Sequence, residues 1–280
     1  MGEKSAWVLF QRPNEKRQYL LRSGTGDAEF SMTTFQGGHK VTIRGSAEQI
    51  GDLDPKLSWT NDAGFSQSTS EADHFKGVIS SVELIKQSQI QKIVLSKVLR
   101  VDHSEIAVFE LFKTLCISYP KAFNYVCFHP ESGLWSGATP ELLLQRENQS
   151  YTTVALAGTR IQDGVSEWTE KEYQEQRIVK DYIVDELANA GIEQVKVGEL
   201  TEAQNGHLVH LKNVLNFNFS GPTEQLLSAL HPTPAVCGTP KNKAIKIIDE
   251  IELHDRKYYS GYLGLKMTKN EESFFVFGIR

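Results

Sequence analysis

The sequence predicts an α+β fold with largely antiparallel sheets. Short alternating runs such as Trp7–Phe10 and Val41–Ile43 indicate β-strands with turns throughout residues 7–60. Farther along the chain, runs of strands are separated by single helical patterns, which favours antiparallel over parallel sheets. No linker-like stretch interrupts the 280 residues. We therefore expect one domain over residues 1–280, with a β-rich part over 1–70 and a catalytic part over 71–280.

Helices are predicted from the spacing of apolar residues and from start and stop signals. Residues 61–70 read as a loop, and Ser70 with Asp73 signals the start of the helix that follows. Its apolar residues at helical spacing are Phe75, Val78, Ile79, Val82 and Ile85. The other helices are expected at about 105–118 with Ile106, Phe109 and Phe112 on one side, 167–190 closed by Gly191, 223–230, and 240–250 with Thr239 as cap and Pro240 first.

Strands are predicted wherever short apolar or alternating runs lie between turn residues. The remaining strands are expected at 91–101, 123–129, 134–136, 141–146, 151–157, 208–219, 261–267 and 273–280.

Composition excludes several classes of function. The chain has 30 basic and 35 acidic residues and a net charge of −5, without a basic run, which argues against a nucleic-acid partner. No apolar run approaches the ~20 residues of a membrane helix, so no membrane association is expected. Cys116, Cys127 and Cys237 are odd in number and lack CxxC spacing. This pattern indicates a reducing cytoplasm rather than zinc or disulfides.

The long helix carries two carboxylates within an apolar stripe. Trp168, Glu172, Glu175, Val179 and Tyr182 step by three and four residues, so they are predicted to share one face. Carboxylates are rarely buried unless they are paired or bind a metal. Spacing alone leaves two interpretations open. The two glutamates either hold a cation such as Mg²⁺ or form salt bridges with a neighbouring element.

Two further charged residues lie at the ends of predicted strands. Glu141 follows the turn in Gly137–Leu144, where a carboxyl group with a raised pKa would suit proton donation. Lys92 begins a predicted apolar strand, where it would act as a base if the site were dry. Taken alone, Glu141 fits a strand-end residue that reaches solvent, and Lys92 fits a structural lysine.

Two turns offer groups for binding an anion or a rigid ligand. After the strand Val154–Ala157, Gly158 and Thr159 would present a backbone N–H and a hydroxyl to a carboxylate, or would form an ordinary turn. The segment 231–240 contains three prolines, so it would hold groups against a ligand with little loop entropy. His231 within it fits either a ligand contact or a structural histidine.

Together these motifs resemble the chorismate-utilising enzymes, and within them the isochorismate synthases. The resemblance covers roughly residues 72–280 and rests on Gln91–Ser96, Gly137–Leu144, Leu156–Thr159, Glu172 with Glu175, Leu230–Gly238 and Asp255–Gly261. It implies two antiparallel sheets packed face to face with helices outside, Mg²⁺ as cofactor, chorismate as substrate, and a monomer or weak dimer. It also implies a role in menaquinone or siderophore biosynthesis.

The resemblance also implies roles for individual residues. Lys92 matches the base that activates water, and Glu141 matches the acid that protonates the departing hydroxyl. Glu175 matches a magnesium ligand beside Glu172. The substrate-binding positions that it implies are Gly158, Thr159, His231, Ala235, Tyr259 and Arg280, the last as the carboxylate-binding arginine. The reaction implied is water addition at C2 of chorismate with loss of the C4 hydroxyl.

Three positions distinguish members of the family. Lys92 and Ala157 stand where ammonia-using relatives carry other residues, and Ala235 stands where salicylate synthases tend to carry Thr. Relatives continue past the position of Arg280 with a second magnesium-binding Glu and a Lys near the substrate, and they more often have Thr at Asn213. A salicylate synthase-type isomerase and lyase, and a chorismate-binding relative without turnover, therefore stay open as alternatives.

Overall fold

The structure, a computed structural model, describes residues 5–51, 55–60, 68–101, 107–163, 165 and 167–277. Its helices are α1 (Glu71–Gln87), α2 (Val108–Ser118), α3 (Glu170–Asn189), α4 (Thr223–Leu230) and α5 (Lys241–Ile251). Its strands are β1 (Trp7–Gln11), β2 (Gln18–Arg22), β3 (Ala28–Thr33), β4 (Lys40–Gly45), β5 (Ala47–Ile50), β6 (Lys92–Ile93), β7 (Phe123–His129), β8 (Gly133–Thr139), β9 (Leu142–Glu147), β10 (Ser150–Ile161), β11 (Lys196–Val197), β12 (Thr201–Asn205), β13 (Leu208–Asn218), β14 (Gly238–Thr239), β15 (Tyr262–Thr268) and β16 (Glu271–Val276).

The strands form two large antiparallel sheets and a small ribbon. The first sheet has the order β5-β2-β1-β7-β8. The second has the order β11-β13-β10-β9-β16-β15-β3-β4, with β12 paired to β13. The ribbon joins β6 to β14. Sequence and structure therefore agree on an α+β fold with antiparallel sheets.

The two large sheets pack face to face through aromatic side chains. Phe10 and Phe123 from the first sheet, together with Phe30 and Phe275 from the second, are almost fully buried in one cluster. The rings of Phe123 and Phe275 stack with centroids 4.6 Å apart. Burial of such large apolar groups is the main favourable contribution to folding, and it fixes the distance between the sheets.

Helices cover the outer faces of both sheets. Helix α3 packs Val179, Ile183 and Leu187 against Ala155 and Ala157 of β10, in a cluster that includes α4. Helix α2 packs Phe109 and Phe112 onto the first sheet, as their spacing predicts. No helix in the described ranges is long and apolar enough to cross a membrane.

The strand predicted over residues 91–101 is mostly wrong. Only Lys92 and Ile93 form strand structure, paired with Thr239 and Gly238. Strand identity needs a neighbour, and the apolar composition of the remaining residues does not supply one. Leu99 and Val101 are instead exposed, by 76% and 74%.

Two boundary predictions are also corrected. Thr239 does not cap α5, because it lies in β14 and Pro240 is the N-cap residue. Trp168 does not share the stripe of α3, because the helix begins at Glu170 after the cap residue Thr169. The indole of Trp168 donates instead to Glu202 at 2.6 Å.

Helix α1 begins as predicted, but its apolar residues are not buried. The Ser70 hydroxyl accepts a hydrogen bond from the Asp73 N–H at 3.0 Å. The buried residues of α1 are Gly77 and Ser81. The exposed fractions of its apolar side chains are 65% for Phe75, 39% for Val78, 44% for Ile79 and 43% for Val82. The loop predicted over 61–70 lies outside the described residues up to residue 67.

Candidate active site

Lys92 is held on the β6–β14 ribbon. The N–H groups of Gln91 and Val94 donate to the carbonyls of Thr239 and Cys237, each at 2.9 Å. A Cβ at Gly238 would lie 2.2 Å from the Lys92 carbonyl oxygen, and its φ is +133°. Only glycine fits this close backbone approach. Gly238 of the proline-rich segment therefore allows β14 to pair with the strand that carries Lys92.

The Lys92 side chain reaches the middle of α3. Its Nζ donates to Glu175 Oε1 at 2.8 Å, and the exposed fractions of the two side chains are 14% and 31%. The sequence left two interpretations open for the carboxylates of this helix. For Glu175, the structure gives an ion pair with a neighbouring element, and that element carries the lysine predicted as the base.

Glu172 lies one turn earlier and takes part in the start of α3. Its Oε2 accepts hydrogen bonds from the N–H of Thr169, at 3.0 Å, and from the Thr169 hydroxyl. Thr169 and Glu172 thus form a capping box. The hydrogen bond from the Thr169 hydroxyl holds the pKa of Glu172 below its ordinary value. This carboxylate is therefore ionised and oriented by the helix cap.

Gly158 lies under the first turn of α3. Its φ is +72°, and a Cβ there would lie 3.0 Å from the Glu172 carbonyl oxygen and 3.2 Å from the Glu172 Cβ. The register of β10 shifts between Ala157 and Thr159, so Gly158 marks a β-bulge. The predicted strand end and turn at Gly158 are therefore wrong, because β10 continues through the bulge to Ile161. The bulge allows the strand to approach α3 closely beside its acidic face.

His210 is a buried histidine beside Thr159 that the sequence did not single out. Its Nδ1 lies 3.0 Å from the Thr159 hydroxyl, and the residue is only 1% exposed. The sequence feature that would have pointed to this residue is a histidine between two apolar residues, Val209 and Leu211, in a predicted strand. It also lines a groove of about 640 Å³ that is bordered by Pro140 and Leu142.

Glu141 is buried immediately before β9, although its local sequence, taken alone, fits a residue that reaches solvent. It is 6% exposed, its N–H donates to the Thr139 hydroxyl at 3.2 Å, and its carbonyl accepts from the Val276 N–H at 2.9 Å. The alternative of a strand-end glutamate in solvent is therefore excluded. A buried carboxyl group at a fixed backbone position suits a proton-transfer role.

His231 is enclosed by the protein. It is 7% exposed, and its Nε2 donates to the Phe35 carbonyl oxygen at 2.9 Å. Burial lowers its pKa to about 4. Its ring also contacts Tyr262 edge-on, with centroids 4.9 Å apart. Of the two sequence-based interpretations, this geometry favours a neutral structural histidine that fixes the start of the proline-rich segment.

The remaining predicted substrate-side residues differ in exposure. Ala235 is 1% exposed and belongs to the same apolar cluster as Ala157 and Val179. Tyr259 is 40% exposed, in a turn where its N–H donates to the Arg256 carbonyl at 2.8 Å. Arg280 lies outside the described residues.

The carboxylates of α3 are the candidate ligands for a cation. Within the described ranges, no group of three or more His, Cys, Asp or Glu side chains is arranged to hold a metal ion. Mg²⁺ commonly takes only one or two protein carboxylates and keeps its other positions for water and substrate oxygens. Glu175 and Glu172 are carboxylates of that kind, and each has one oxygen in use, Glu175 Oε1 by Lys92 and Glu172 Oε2 by the helix cap.

Comparisons with known proteins agree with this architecture. Residues 42–280 match the family model described as "Chorismate binding enzyme". The chain is 28% identical to isochorismate synthase MenF of Pasteurella multocida over 71% of this chain and 49% of that protein. It is 27% identical to the vibriobactin-specific isochorismate synthase of Vibrio cholerae over 70% and 53%, respectively.

A solved structure shows the same fold. The crystal structure of DhbC from Bacillus anthracis superposes with a TM-score of 0.80 at 22% identity. The match covers 99% of this chain and 85% of that structure. This chain spans about half the length of the curated relatives that it matches.

Proposed function

Because this chain belongs to the chorismate-binding enzyme family, we propose that it isomerises chorismate to isochorismate. The contact between Lys92 Nζ and Glu175 Oε1 at 2.8 Å carries the proposal. It joins the lysine that the resemblance assigns as the base to an acidic helix face beside the Gly158 bulge. The isochorismate synthases among its relatives supply the reaction class.

The chemistry divides between two residues. Lys92 takes a proton from a water whose oxygen bonds to ring carbon 2. Glu141 gives a proton to the hydroxyl that leaves carbon 4 as water, while the ring double bonds shift. Each positioned acid or base contributes ~10²–10⁴-fold to such a reaction. The ion pair with Glu175 favours the ammonium form, so Lys92 must lose that proton before it acts as a base.

Substrate binding falls to the turns around α3. Gly158 and Thr159 present an N–H and a hydroxyl to one carboxylate of chorismate, and Arg280 binds a carboxylate. Tyr259 and Ala235 line the substrate side, and His231 supports the segment that carries Ala235. The distinction from a salicylate synthase rests on Ala235, which has no hydroxyl.

The acidic face of α3 would hold Mg²⁺ through Glu175, with Glu172 beside it. Bound Mg²⁺ would supply positive charge that neutralises and orients a substrate carboxylate. We further propose a cytoplasmic monomer or weak dimer. The three cysteines are buried free thiols, which suits a reducing compartment.

The test is a turnover assay on the full chain. Purified protein is incubated with chorismate and Mg²⁺, and isochorismate is quantified by chromatography. We expect product formation that is abolished by Lys92→Ala and by Glu141→Gln, with the fold retained by near-UV circular dichroism. The matched control is Lys76→Ala, because the Lys76 side chain is 78% exposed on α1.

Other outcomes point to other functions. Salicylate and pyruvate as products would indicate the lyase alternative. Chorismate binding by calorimetry without product at high enzyme concentration would indicate a non-catalytic relative. Full activity in Lys92→Ala would refute the role of this lysine, and an unchanged Mg²⁺ titration in Glu175→Gln would refute the ligand role of Glu175.

A further inference from the structure

Arg256 and Glu252 form a buried ion pair beside the strand that carries Lys92. Two parallel hydrogen bonds join them, Nε to Oε2 at 2.8 Å and Nη2 to Oε1 at 2.6 Å. Each side chain is only 3% exposed. Removing two charges from water is costly, so a buried pair is weak evidence of a role in stability. A pair that positions neighbouring segments must also bind those segments. Arg256 and Glu252 both form further hydrogen bonds to the chain around them.

The Arg256 guanidinium links the two segments that frame the candidate site. Nη1 donates to the Val236 carbonyl at 2.9 Å, and Nη2 donates to the Val94 carbonyl at 2.6 Å. The guanidinium also lies over the Phe35 ring, 4.4 Å from its centroid. The rigid planar fork of arginine therefore fixes the distance between the lysine strand and the proline-rich segment.

Glu252 binds the chain at Ser96, two residues beyond Val94. Its Oε1 accepts from the Ser96 N–H at 2.6 Å and from the Ser96 hydroxyl at 3.0 Å. The Ser96 hydroxyl also lies 2.9 Å from Nε2 of His254. Side chains thus take the place of a strand neighbour after β6 ends at Ile93.

These anchors lie close to Lys92 along the chain. Val94 and Ser96 are two and four residues beyond Lys92. Arg256 and Val94, by contrast, are 162 positions apart in sequence. The position of the Lys92 amine relative to Glu175 therefore depends on both the short ribbon and the buried ion pair.

We propose that Arg256, oriented by Glu252, is a positioning residue that holds the Lys92 strand in register with the acidic face of α3. This inference rests on the role proposed for Lys92. A misplacement of about 1 Å by a change far from the chemistry can cost ~10²-fold in rate. Lysine at position 256 would keep the charge but would not span both carbonyls.

The first measurement is the steady-state kinetics of Arg256→Lys. We expect kcat to fall at least ~10-fold while KM changes far less, since substrate contacts remain. The matched control is Arg44→Lys, because Arg44 makes a similar contact with Glu29 at 2.8 Å but is 74% exposed.

The second measurement does not need turnover. The rate at which acetic anhydride acylates Lys92 is compared by mass spectrometry with that of Lys171. We expect the acylation rate of Lys92, relative to that of Lys171, to change several-fold in Arg256→Lys. The same ratio should not change in Arg44→Lys. Should Arg256→Lys fail to fold, Glu252→Gln and Ser96→Ala are judged by the same two measurements.

The outcomes separate this inference from the proposed function. A folded Arg256→Lys with unchanged kcat and unchanged Lys92 acylation overturns the positioning role and leaves the isomerase proposal intact. A wild-type protein without turnover refutes the proposed function, and the acylation rates then decide the role of Arg256 by themselves.

Discussion

The position of each side chain at the candidate site is set by the residues that it contacts, and most of these are distant in sequence. Lys92 contacts Glu175, while the Glu172 carboxylate orients the helix cap. His231 donates to a backbone carbonyl from within the core. The acidic stripe and the histidine were visible in the sequence, but their partners were not. Lys92 and Glu175 are 83 positions apart, and apolar spacing carries no information about such a pair.

Gly158→Ala is predicted to damage the site through steric contact. The φ of +72° costs about 1 kcal/mol for a residue with a Cβ. The Cβ would also meet Glu172 at 3.0 Å, which displaces the first turn of α3. We expect a lower urea midpoint and a large fall in any chorismate turnover.

Gly37→Ala is the matched control for this prediction. Gly37 has a φ of +75°, but a Cβ there would meet nothing within 4 Å. The Gly37→Ala variant should therefore lose only the stability that the positive φ costs, without a steric contribution. Equal losses in both variants would contradict the close approach of Gly158 to α3.

His231 is predicted to make stability fall as the solution becomes acidic. Its pKa in the folded protein is about 4, below the unfolded value of about 6.5, so the unfolded state binds the proton first. The stabilisation is complete above pH 6.5 and is lost as pH falls toward 4. Between pH 6.5 and 5 the loss amounts to about 2 kcal/mol.

The measurement is urea unfolding at pH 7 and pH 5. In His231→Gln the difference between the two pH values should shrink, since the group that takes up the proton is gone. His39→Gln is the control, because that side chain is 54% exposed. A His231 variant with the wild-type pH dependence would contradict the buried neutral state.

At the scale of elements, local signals set the helices, and neighbours decide how each helix packs. The capping signal at Ser70 correctly marks the start of α1. The face of this helix that carries Phe75 is exposed to solvent. The opposite contact is made by Gly77, which packs against Ile251. Similarly, the apolar run that starts at Lys92 becomes a two-residue strand, because strands form only where a neighbour accepts their hydrogen bonds.

The exposed face of α1 makes Phe75→Ala a nearly neutral substitution. Since Phe75 is 65% exposed, we expect the free energy of unfolding to change by less than about 0.5 kcal/mol. Phe109→Ala in α2 is the matched comparison, at 4% exposure, and should cost about 3–5 kcal/mol. Chemical denaturation measures both, and a similar cost for the two would contradict the exposure of this face.

At the scale of the whole molecule, two face-to-face sheets enclose one aromatic core and carry helices on their outer sides. This arrangement matches the crystal structure of DhbC from Bacillus anthracis over 99% of this chain. The three cysteines lie in different layers, Cys127 between the sheets, Cys116 on the buried face of α2 and Cys237 beside α5. Their reactivity therefore reports on the packing of each layer.

The thiols are predicted to be almost inert in the native protein. Burial raises the pKa of Cys116 and of Cys237 to about 12, and it raises the pKa of Cys127 as well. Thiolate is the reactive form, so Ellman's reagent at pH 8 should react slowly with native protein. All three thiols should react in guanidinium chloride. Rapid reaction of one native thiol would show that its layer is open.

The sequence by itself determined the main strands and helices and the acidic residues of α3, because each depends on residues within a few positions. The burial of Glu141, the β-bulge at Gly158 and the short strands β11, β12 and β14 were not among them. Only the tertiary structure decided that Lys92 meets Glu175, that Arg256 ties Val94 to Val236, and that α1 packs through Gly77. These contacts join distant parts of the chain, and they follow from how two sheets and their covering helices fill space.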